Sequence, residues 1–381
     1  MPCPALQREW GFPAIFTGWH LSAGPGKKCV MAITLPSLAD LALHGFDDII
    51  DVRAPAEFAE DHLPGAISLP VLDDEERARV GTLYKQVSAF EAKKLGAALV
   101  SRNIADRVER HLMDKPKSWR PLVYCWRGGQ RSGAFSHVLR EIGWDAHRLQ
   151  GGYKAWRRHV IEQLSVLPRR FDFRVVSGAT GSGKSRLLEA LAARGAQVLH
   201  LEQLAAHKGS VLGDLPEQRQ PAQKGFESML FAELSRFDPA RPVFVEAESR
   251  KIGRLQVPET LLEAIRGANG LRIEASLPAR VGFLLRDYDY AVADPAWLLD
   301  RLSHLRGLQS NETLERWRVL VAAGDFSSLV EQLLTQHYDP HYQRSQAHKY
   351  ASFGAAARYL TDSLDDAALD SMAAQVLATS A

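Results

Sequence analysis

From Met31 to about Arg158 the chain alternates short apolar runs with stretches of helical period, which predicts an α/β unit built on a parallel sheet. Asp48-Ile-Ile-Asp51-Val52 reads as a short buried strand, and the run from Pro55 to Phe58 opens a helix with proline in its first turn. Pro64-Gly65-Ala66-Ile67 predicts a turn into another strand, and Ala89 to Asn103 a helix with Leu95, Leu99 and Val100 on one face. Pro121-Leu-Val-Tyr-Cys125 then predicts a strand that carries Cys125 to its C-terminal end, the edge at which open parallel sheets bind ligands.

The pattern breaks between Glu162 and Asp172 and restarts at once, with Phe173-Arg-Val-Val-Ser177 as a strand, a loop over Gly178 to Gly183, and a helix over Lys184 to Arg194 that turns Leu187, Leu188 and Leu191 inward. Val243-Phe-Val-Glu246 predicts a later buried strand of the same sheet. After about Val292 the period is helical, through Trp297 to Leu308, Leu314 to Ala323, Ser327 to His337 and Ala367 to Ala378. The expected division is an extension over 1–31, a first α/β domain over 32–160, a linker over 161–172, a second α/β domain over 173–291 and a helical region over 292–381.

Composition changes this picture in three places. No apolar run approaches the ~20 residues that span a bilayer, so no membrane partner is expected. Residues 1–30 hold four prolines, Pro2, Pro4, Pro13 and Pro25, and no clear period, and Lys27 and Lys28 come late, the reverse of a secretory signal. The segment is expected to play no part in the fold. Of three cysteines, Cys3 and Cys29 lie in that extension and Cys125 stands alone in the body. Neither a disulfide framework nor a cysteine zinc site fits, and a reducing cytoplasm is the expected location.

A formal charge of +2 neither demands nor excludes a polyanionic partner. Its distribution is more informative: Arg148, Lys154, Arg157, Arg158, His159, Arg169 and Arg170 face only Glu162 and Asp172 nearby. A solvated helix face and a nucleic-acid surface both fit this stretch, and Arg157, Arg158, Arg169 and Arg170 are the candidates for the second.

Two anion-binding loops carry the candidate chemistry. Cys125-Trp-Arg-Gly-Gly-Gln-Arg-Ser132 follows a strand and can curl its backbone amides around one oxyanion. Those amides and Arg131 also favour a thiolate over a thiol. Cys125 is the expected nucleophile, with Arg127, Arg131, Gly128, Gly129 and Ser132 holding the anion. Gly178-Ala-Thr-Gly181-Ser-Gly183-Lys184-Ser185 matches the Walker A pattern in its required setting, after a strand and before a helix. The glycine amides and Lys184 would hold a diphosphate, and Ser185 a Mg²⁺ ion. Glu246 or Glu248 can stand where a Walker B carboxylate would, although no Asp occupies that place.

Ile50-Asp51-Val52-Arg53, Glu57-Phe58, His62-Leu63-Pro64-Gly65-Ala66-Ile67, the Cys125 loop and Leu149-Gln-Gly-Gly-Tyr153-Lys-Ala-Trp156 resemble the rhodanese family over roughly residues 45 to 158. Here Cys125 and Arg131 have five residues between them, one more than the common rhodanese loop, a spacing similar to the cysteine phosphatases and suited to a phosphate-like donor. Within that resemblance Asp51 and Arg53 are expected to buttress the loop. Further stretches extend the likeness, namely Val80 to Gly96, His207-Lys-Gly209-Ser210, Glu248-Ser-Arg250-Lys-Ile252-Gly253 and His337-Tyr-Asp339-Pro340-x-Tyr342. With a P-loop domain following the rhodanese-like one, the chain resembles the tRNA 2-selenouridine synthase family over about residues 35 to 350.

That resemblance implies a fold class of α/β: a rhodanese-like parallel-sheet domain, a P-loop NTPase-like α/β domain and a helical C-terminal region. It also implies a transferase that replaces the sulfur of wobble 2-thiouridine in tRNA by selenium. Geranyl diphosphate would first alkylate the sulfur, and selenophosphate would supply selenium; no tightly bound cofactor is implied. Cys125 either takes up selenium or attacks the modified base. His200 and Ala247 depart from the more acidic family pattern and leave metal and nucleotide handling open. A rhodanese-type sulfurtransferase acting on tRNA with an attached ATP-binding domain is the alternative. A cysteine phosphatase fused to a kinase-like module and a non-catalytic tRNA-binding protein are more distant.

Overall fold

The computed structural model describes residues 32–33, 45–127, 129–342, 344 and 356–380. Gly128 and the whole of the expected extension over 1–31, with Cys3 and Cys29, lie outside the described residues.

The first domain is a five-stranded sheet of β1 (Ala32–Ile33), β2 (Asp48–Asp51), β3 (Ala66–Ser68), β4 (Pro121–Tyr124) and β5 (His147–Leu149), ordered β1-β5-β4-β2-β3 and parallel throughout. All four residues of β4 are buried, as expected of a central strand covered by helices on both faces. The helix predicted from Ala89 extends to His111, and its buried side carries Ala92, Leu99, Val100 and Ile104. Two further helices, Gln130–Ile142 and Gly152–Leu164, follow β4 and β5.

The second domain contains β6 (Phe173–Gly178), β7 (Gln197–Leu199), β8 (Val243–Glu246), an antiparallel pair of β9 (Lys251–Ile252) and β10 (Leu255–Gln256), then β11 (Asn269–Ala275) and β12 (Ala357–Thr361). Its main sheet is ordered β12-β11-β6-β8-β7 and is again parallel, with β6 in the centre. The glycine-rich loop therefore leaves the middle of one sheet as the cysteine loop leaves the middle of the other.

Two expected boundaries are corrected. The region 292–381 is not wholly helical: after a helical insertion the chain returns, β12 pairs with β11, and helix Asp366–Ser380 packs on helix Lys184–Ala193. Leu364, Leu369, Met372, Ala373 and Val376 share a core with Leu187, Leu188 and Leu191. β12 is an edge strand with no buried residue, so its apolar pattern is too weak to read. The expected linker over 161–172 is instead a packed seam. Helix Gly152–Leu164 runs into it, and Leu164, Leu167 and Phe171 are buried in a core common to both domains.

That core joins Leu63, Leu122, Tyr124, Leu149 and Trp156 to Phe173, Phe226, Leu230, Phe231 and Val245. Polar contacts sit inside the seam. Asp61, only 3% exposed, accepts hydrogen bonds from Tyr153 Oη at 2.8 Å and from Ser228 Oγ at 3.0 Å. Trp156 Nε1 donates to Ser228 Oγ at 3.3 Å, and Lys224 pairs with Glu60 at 2.7 Å. An apolar seam of this kind, with Asp61 held by hydroxyls from both domains, keeps the two domains in one orientation.

Candidate active site

Cys125 sits at the end of β4, 4% exposed, with Sγ 3.2 Å from Ser132 Oγ. Ser132 is fully buried and is the third residue of helix Gln130–Ile142, whose N-cap is Gly129. The thiol therefore faces the N-terminus of a thirteen-residue helix, where unpaired amides and the helix dipole favour negative charge.

The loop is held from behind by Tyr153 and Lys154, whose amides donate to the carbonyls of Cys125 and Trp126 at 2.8 and 2.9 Å. Trp126 packs against the shared core, 5.3 Å from the Tyr153 ring. Arg53, 1% exposed, lies with its guanidinium 4.0 Å from the centre of the Tyr153 ring. Its Nη2 donates to Asp51 Oδ2 and to the Asp61 carbonyl, both at 2.6 Å. Burial, which works against the Arg53 charge, is outweighed by Asp51. Asp51 thus holds Arg53 against the Tyr153 and Tyr124 rings that flank the loop.

The two arginines of the loop differ. Arg127 is exposed. Arg131 donates to Glu57 Oε2 at 2.8 Å, and the same carboxylate oxygen accepts from Arg77 Nε at 2.8 Å. Burial opposes the Glu57 charge, but Arg131 and Arg77 overcome it and hold the carboxyl down at about 2. Arg131 is therefore not a bare anion holder. It reaches the loop already oriented and partly neutralised by Glu57.

In the second loop Gly181 and Gly183 have φ of 77° and 78°, and a Cβ at Gly181 would stand 2.8 Å from Leu284 Cδ1. Both positions need glycine. Gly178 is enclosed as well, since a Cβ there would meet Ser182 Oγ at 2.3 Å. Lys184 Nζ donates to the Gly178 carbonyl at 3.2 Å, so the ammonium lies across the loop it closes. Ser185 Oγ donates to Glu202 Oε2 at 2.9 Å, and the Glu202 amide donates to Glu246 Oε1 at 2.7 Å.

Glu246 is fully buried, and its Oε2 has no hydrogen-bond partner. Burial first, then the nearby Glu202 charge, pushes its carboxyl up to about 8. Glu248 is raised too, by burial and by Glu202 and Glu246. Gly209 faces this group so closely that a Cβ would lie 2.5 Å from Glu202 Oε1 and 2.8 Å from Glu248 Oε1. Among the described residues no group of three or more His, Cys, Asp or Glu side chains is arranged to hold a metal ion.

Sequence reasoning missed Glu202, Lys208, Arg280 and Asp287. Arg280 Nε donates to the Thr180 carbonyl at 2.9 Å while its other nitrogens grip Asp339 at 2.6 and 3.0 Å. The motif at His337 to Tyr342 thereby reaches the glycine-rich loop. Lys208 Nζ donates to Asp287 Oδ2 at 2.6 Å and stands 4.2 Å from the Tyr288 ring centre. These residues come from helices and loops far apart in sequence, and only the motif containing Lys208 gave a signal.

The P-loop opens into a cavity of about 460 Å³ lined by Lys184, Ser185, Glu202, Lys208, Glu248 and Tyr288 among others. A second hollow of about 80 Å³ adjoins it, and the two share Thr180, Ser210, Leu284 and Tyr288. The second hollow is walled almost wholly by apolar side chains of the helical insertion, including Ala291, Trp297, Leu298, Leu329 and Leu333.

Of the basic candidates, Arg157 pairs with Glu227 across the domain seam, with its side chain 17% exposed. Arg158 and Arg170 are exposed, and Arg169 is exposed but lies 3.7 Å from Glu263. The structure does not bring these four together at either loop. No helix among the described residues is long and apolar enough to cross a membrane.

A cysteine loop on one parallel sheet and a Walker A loop on another, locked through a common core, define a two-domain protein of rhodanese-like and P-loop type. The family description "Rhodanese-like domain" matches residues 35–159, and "tRNA 2-selenouridine synthase AAA domain" matches residues 171–304. Curated relatives bear the name tRNA 2-selenouridine synthase. One from Nitrosomonas europaea is 38% identical over 244 residues, covering 63% of this chain and 63% of the relative. Relatives from Marinobacter nauticus and Aeromonas salmonicida are each 34% identical, covering 77% and 81% of this chain and 87% and 90% of their own lengths. The chain belongs to the tRNA 2-selenouridine synthase family.

Proposed function

We propose that the protein replaces the sulfur of 2-thiouridine at the tRNA wobble position by selenium, in two substitutions that use the two loops in turn. The observation that carries this reading is the apolar hollow beside the P-loop cavity. A prenyl diphosphate has an anionic head and an apolar tail, and the two adjoining spaces match that division. A nucleotide would bring a polar base and ribose to a wall of Leu, Val and Trp side chains.

In the first substitution the thiocarbonyl sulfur attacks C1 of geranyl diphosphate, the C–O bond breaks, and diphosphate leaves into the cradle of Gly178, Gly181, Gly183 and Lys184. Ser185 and Glu202, which touch each other at 2.9 Å, would hold a Mg²⁺ ion against the phosphate oxygens, where it would offset leaving-group charge. In the second, the Cys125 thiolate adds to C2 of the base and expels geranylthiol. The selenium of selenophosphate then displaces Sγ, and water cleaves the Se–P bond to release phosphate. This sequence returns Cys125 to its starting state without an oxidant, which a selenium-carrying Cys125 perselenide would require. Arg127 and Arg131, with the amides of the loop, would hold the selenophosphate anion. The setting for this chemistry is the cytoplasm, where tRNA and a reduced thiol coexist.

The test supplies purified protein with a tRNA carrying 2-thiouridine, geranyl diphosphate and selenophosphate, followed by mass spectrometry of the nucleosides. The expected products are the S-geranylated nucleoside, then 2-selenouridine. Sulfur transfer that requires ATP and ignores geranyl diphosphate would instead establish the sulfurtransferase with an ATP-binding domain.

A further inference from the structure

The helices Asp74–Gln86 and Ala89–His111 pack against each other as a hairpin. The first begins in a capping box, with Asp73 Oδ1 accepting from the Glu76 amide at 2.7 Å and Glu76 Oε2 accepting from the Asp73 amide at 3.1 Å. Ser88 ends the corner and caps the second helix, its Oγ accepting from the Phe90 amide at 3.1 Å. The corner is thus a rigid turn between two capped helices.

Three large apolar side chains at this corner face solvent: Tyr84 is 59% exposed, Val87 70% and Phe90 65%. They contribute nothing to the core, which takes Ala92, Leu99, Val100 and Ile104 from the same hairpin. Among the described residues the other exposed large apolar side chains are scattered; here three occur within seven residues, a grouping that marks an interaction surface.

The charge next to them is mainly positive, although Lys94 pairs with Glu91 at 2.7 Å. Between positions 77 and 102 the hairpin carries six basic residues, Arg77, Arg79, Lys85, Lys93, Lys94 and Arg102, against the single acid Glu91. Lys94 Nζ stands 5.2 Å from the centre of the Phe90 ring. Aromatic faces beside ammonium groups are the elements with which proteins hold unpaired nucleotides, bases on the rings and phosphates on the cations.

The corner is also tied to the cysteine loop. Arg77, on the first helix, shares Glu57 with Arg131. Tyr84 lies two turns further along, ~10 Å by helix rise. A nucleic-acid loop that placed one base at Cys125 would carry its neighbouring nucleotides over this distance.

We infer that the Tyr84–Phe90 corner is an RNA-docking surface that stacks unpaired bases of the anticodon loop while its lysines hold the phosphates. The inference rests on the proposed tRNA substrate and adds where that substrate is gripped.

The experiment measures binding of the full chain to a fluorescent anticodon stem-loop and to whole tRNA over a range of salt. Tyr84→Ala and Phe90→Ala are each expected to weaken binding about tenfold, and Tyr84→Phe, which keeps the ring, to restore it. Replacing Lys85, Lys93 and Lys94 together by Ala should reduce the slope of log affinity on log salt by about 2. These side chains are exposed, and circular dichroism and melting temperature should be unchanged. Wild-type affinity and slope in all variants, with wild-type binding intact, would overturn the docking surface and leave the proposed function standing. A shift in oligomeric state on sedimentation, with RNA affinity unaltered, would overturn it in favour of a contact between copies. Absence of tRNA binding by the wild type would remove the substrate reading itself.

Discussion

Arg131, which closes the cysteine loop, donates to Glu57 Oε2 at 2.8 Å, and this ion pair is 13 to 18% exposed. Glu57 takes one end of the guanidinium and fixes its direction. It also sets the charge at the loop, since a second arginine, Arg77, meets the same carboxylate.

The depressed Glu57 carboxyl has a consequence for acid stability. A carboxylate held at about 2 in the fold, against an ordinary 4.5, stabilises fully above pH 4.5, and that contribution is lost as pH falls from there towards 2. The shift corresponds to ~3 kcal/mol. Glu57→Gln should lower stability at pH 7 by an amount of that order, and the difference from wild type should shrink as the pH is lowered through 4. Urea unfolding between pH 7 and pH 3 measures it; a difference independent of pH would show that the Glu57 charge is not the cause.

Glu246 gives the opposite sign. Its carboxyl is raised to about 8 from an ordinary 4.5, so its contribution is present below pH 4.5 and is lost as pH rises through 8. Glu246→Gln keeps the shape and cannot ionise. Thermal melts from pH 5 to pH 9 should fall more steeply for wild type than for Glu246→Gln, with the two curves diverging above pH 6. Parallel curves would mean that Glu246 is already ionised at pH 5.

Both loops were legible because each is a contiguous motif whose backbone does the binding, and β4 and β6 were legible because buried central strands read as unbroken apolar runs. The supporting residues were not. Glu57 was visible only as part of a family pattern, and its bond to Arg131 spans 74 positions. Asp61, Ser228 and Tyr153 meet at one carboxylate from three separate segments, and no period in the sequence reports such a meeting. The partner of Arg157 was hidden for the same reason, because Glu227 lies in the other domain. β12 was hidden by its exposed edge position, and β11, the neighbour it joins, has only two buried residues in seven.

Asp61 is the polar centre of the domain seam, and burial raises its carboxyl. Asp61→Ala would leave Tyr153 Oη and Ser228 Oγ buried without this acceptor, at a cost of about 3 kcal/mol. Because Tyr153 also supports the Cys125 carbonyl at 2.8 Å, the variant should lose the second substitution more than the first. Denaturation monitored by tryptophan fluorescence, with separate assays of geranylation and selenium transfer, tests both parts. Equal loss of the two activities would place Asp61 in global stability alone.

The apolar hollow makes the sharpest demand on the proposed first step. Ala291, 5% exposed, is a small residue in its wall, facing the space bounded by Leu298, Leu329 and Leu333. Ala291→Leu adds methyl-bearing carbon to that space and should shorten the prenyl chain that fits. Because each methylene in an apolar pocket changes discrimination by roughly 10- to 200-fold, the ratio of kcat/KM for geranyl diphosphate over dimethylallyl diphosphate should fall at least tenfold. The diphosphate cradle is untouched, so inhibition by inorganic diphosphate should stay at its wild-type strength. That second measurement separates a filled tail pocket from a damaged P-loop, because overpacking that disturbed Gly181 or Lys184 would weaken diphosphate binding as well. An unchanged prenyl ratio with intact folding would place the chain elsewhere on the protein and remove the hollow as the reason to prefer a prenyl diphosphate over a nucleotide.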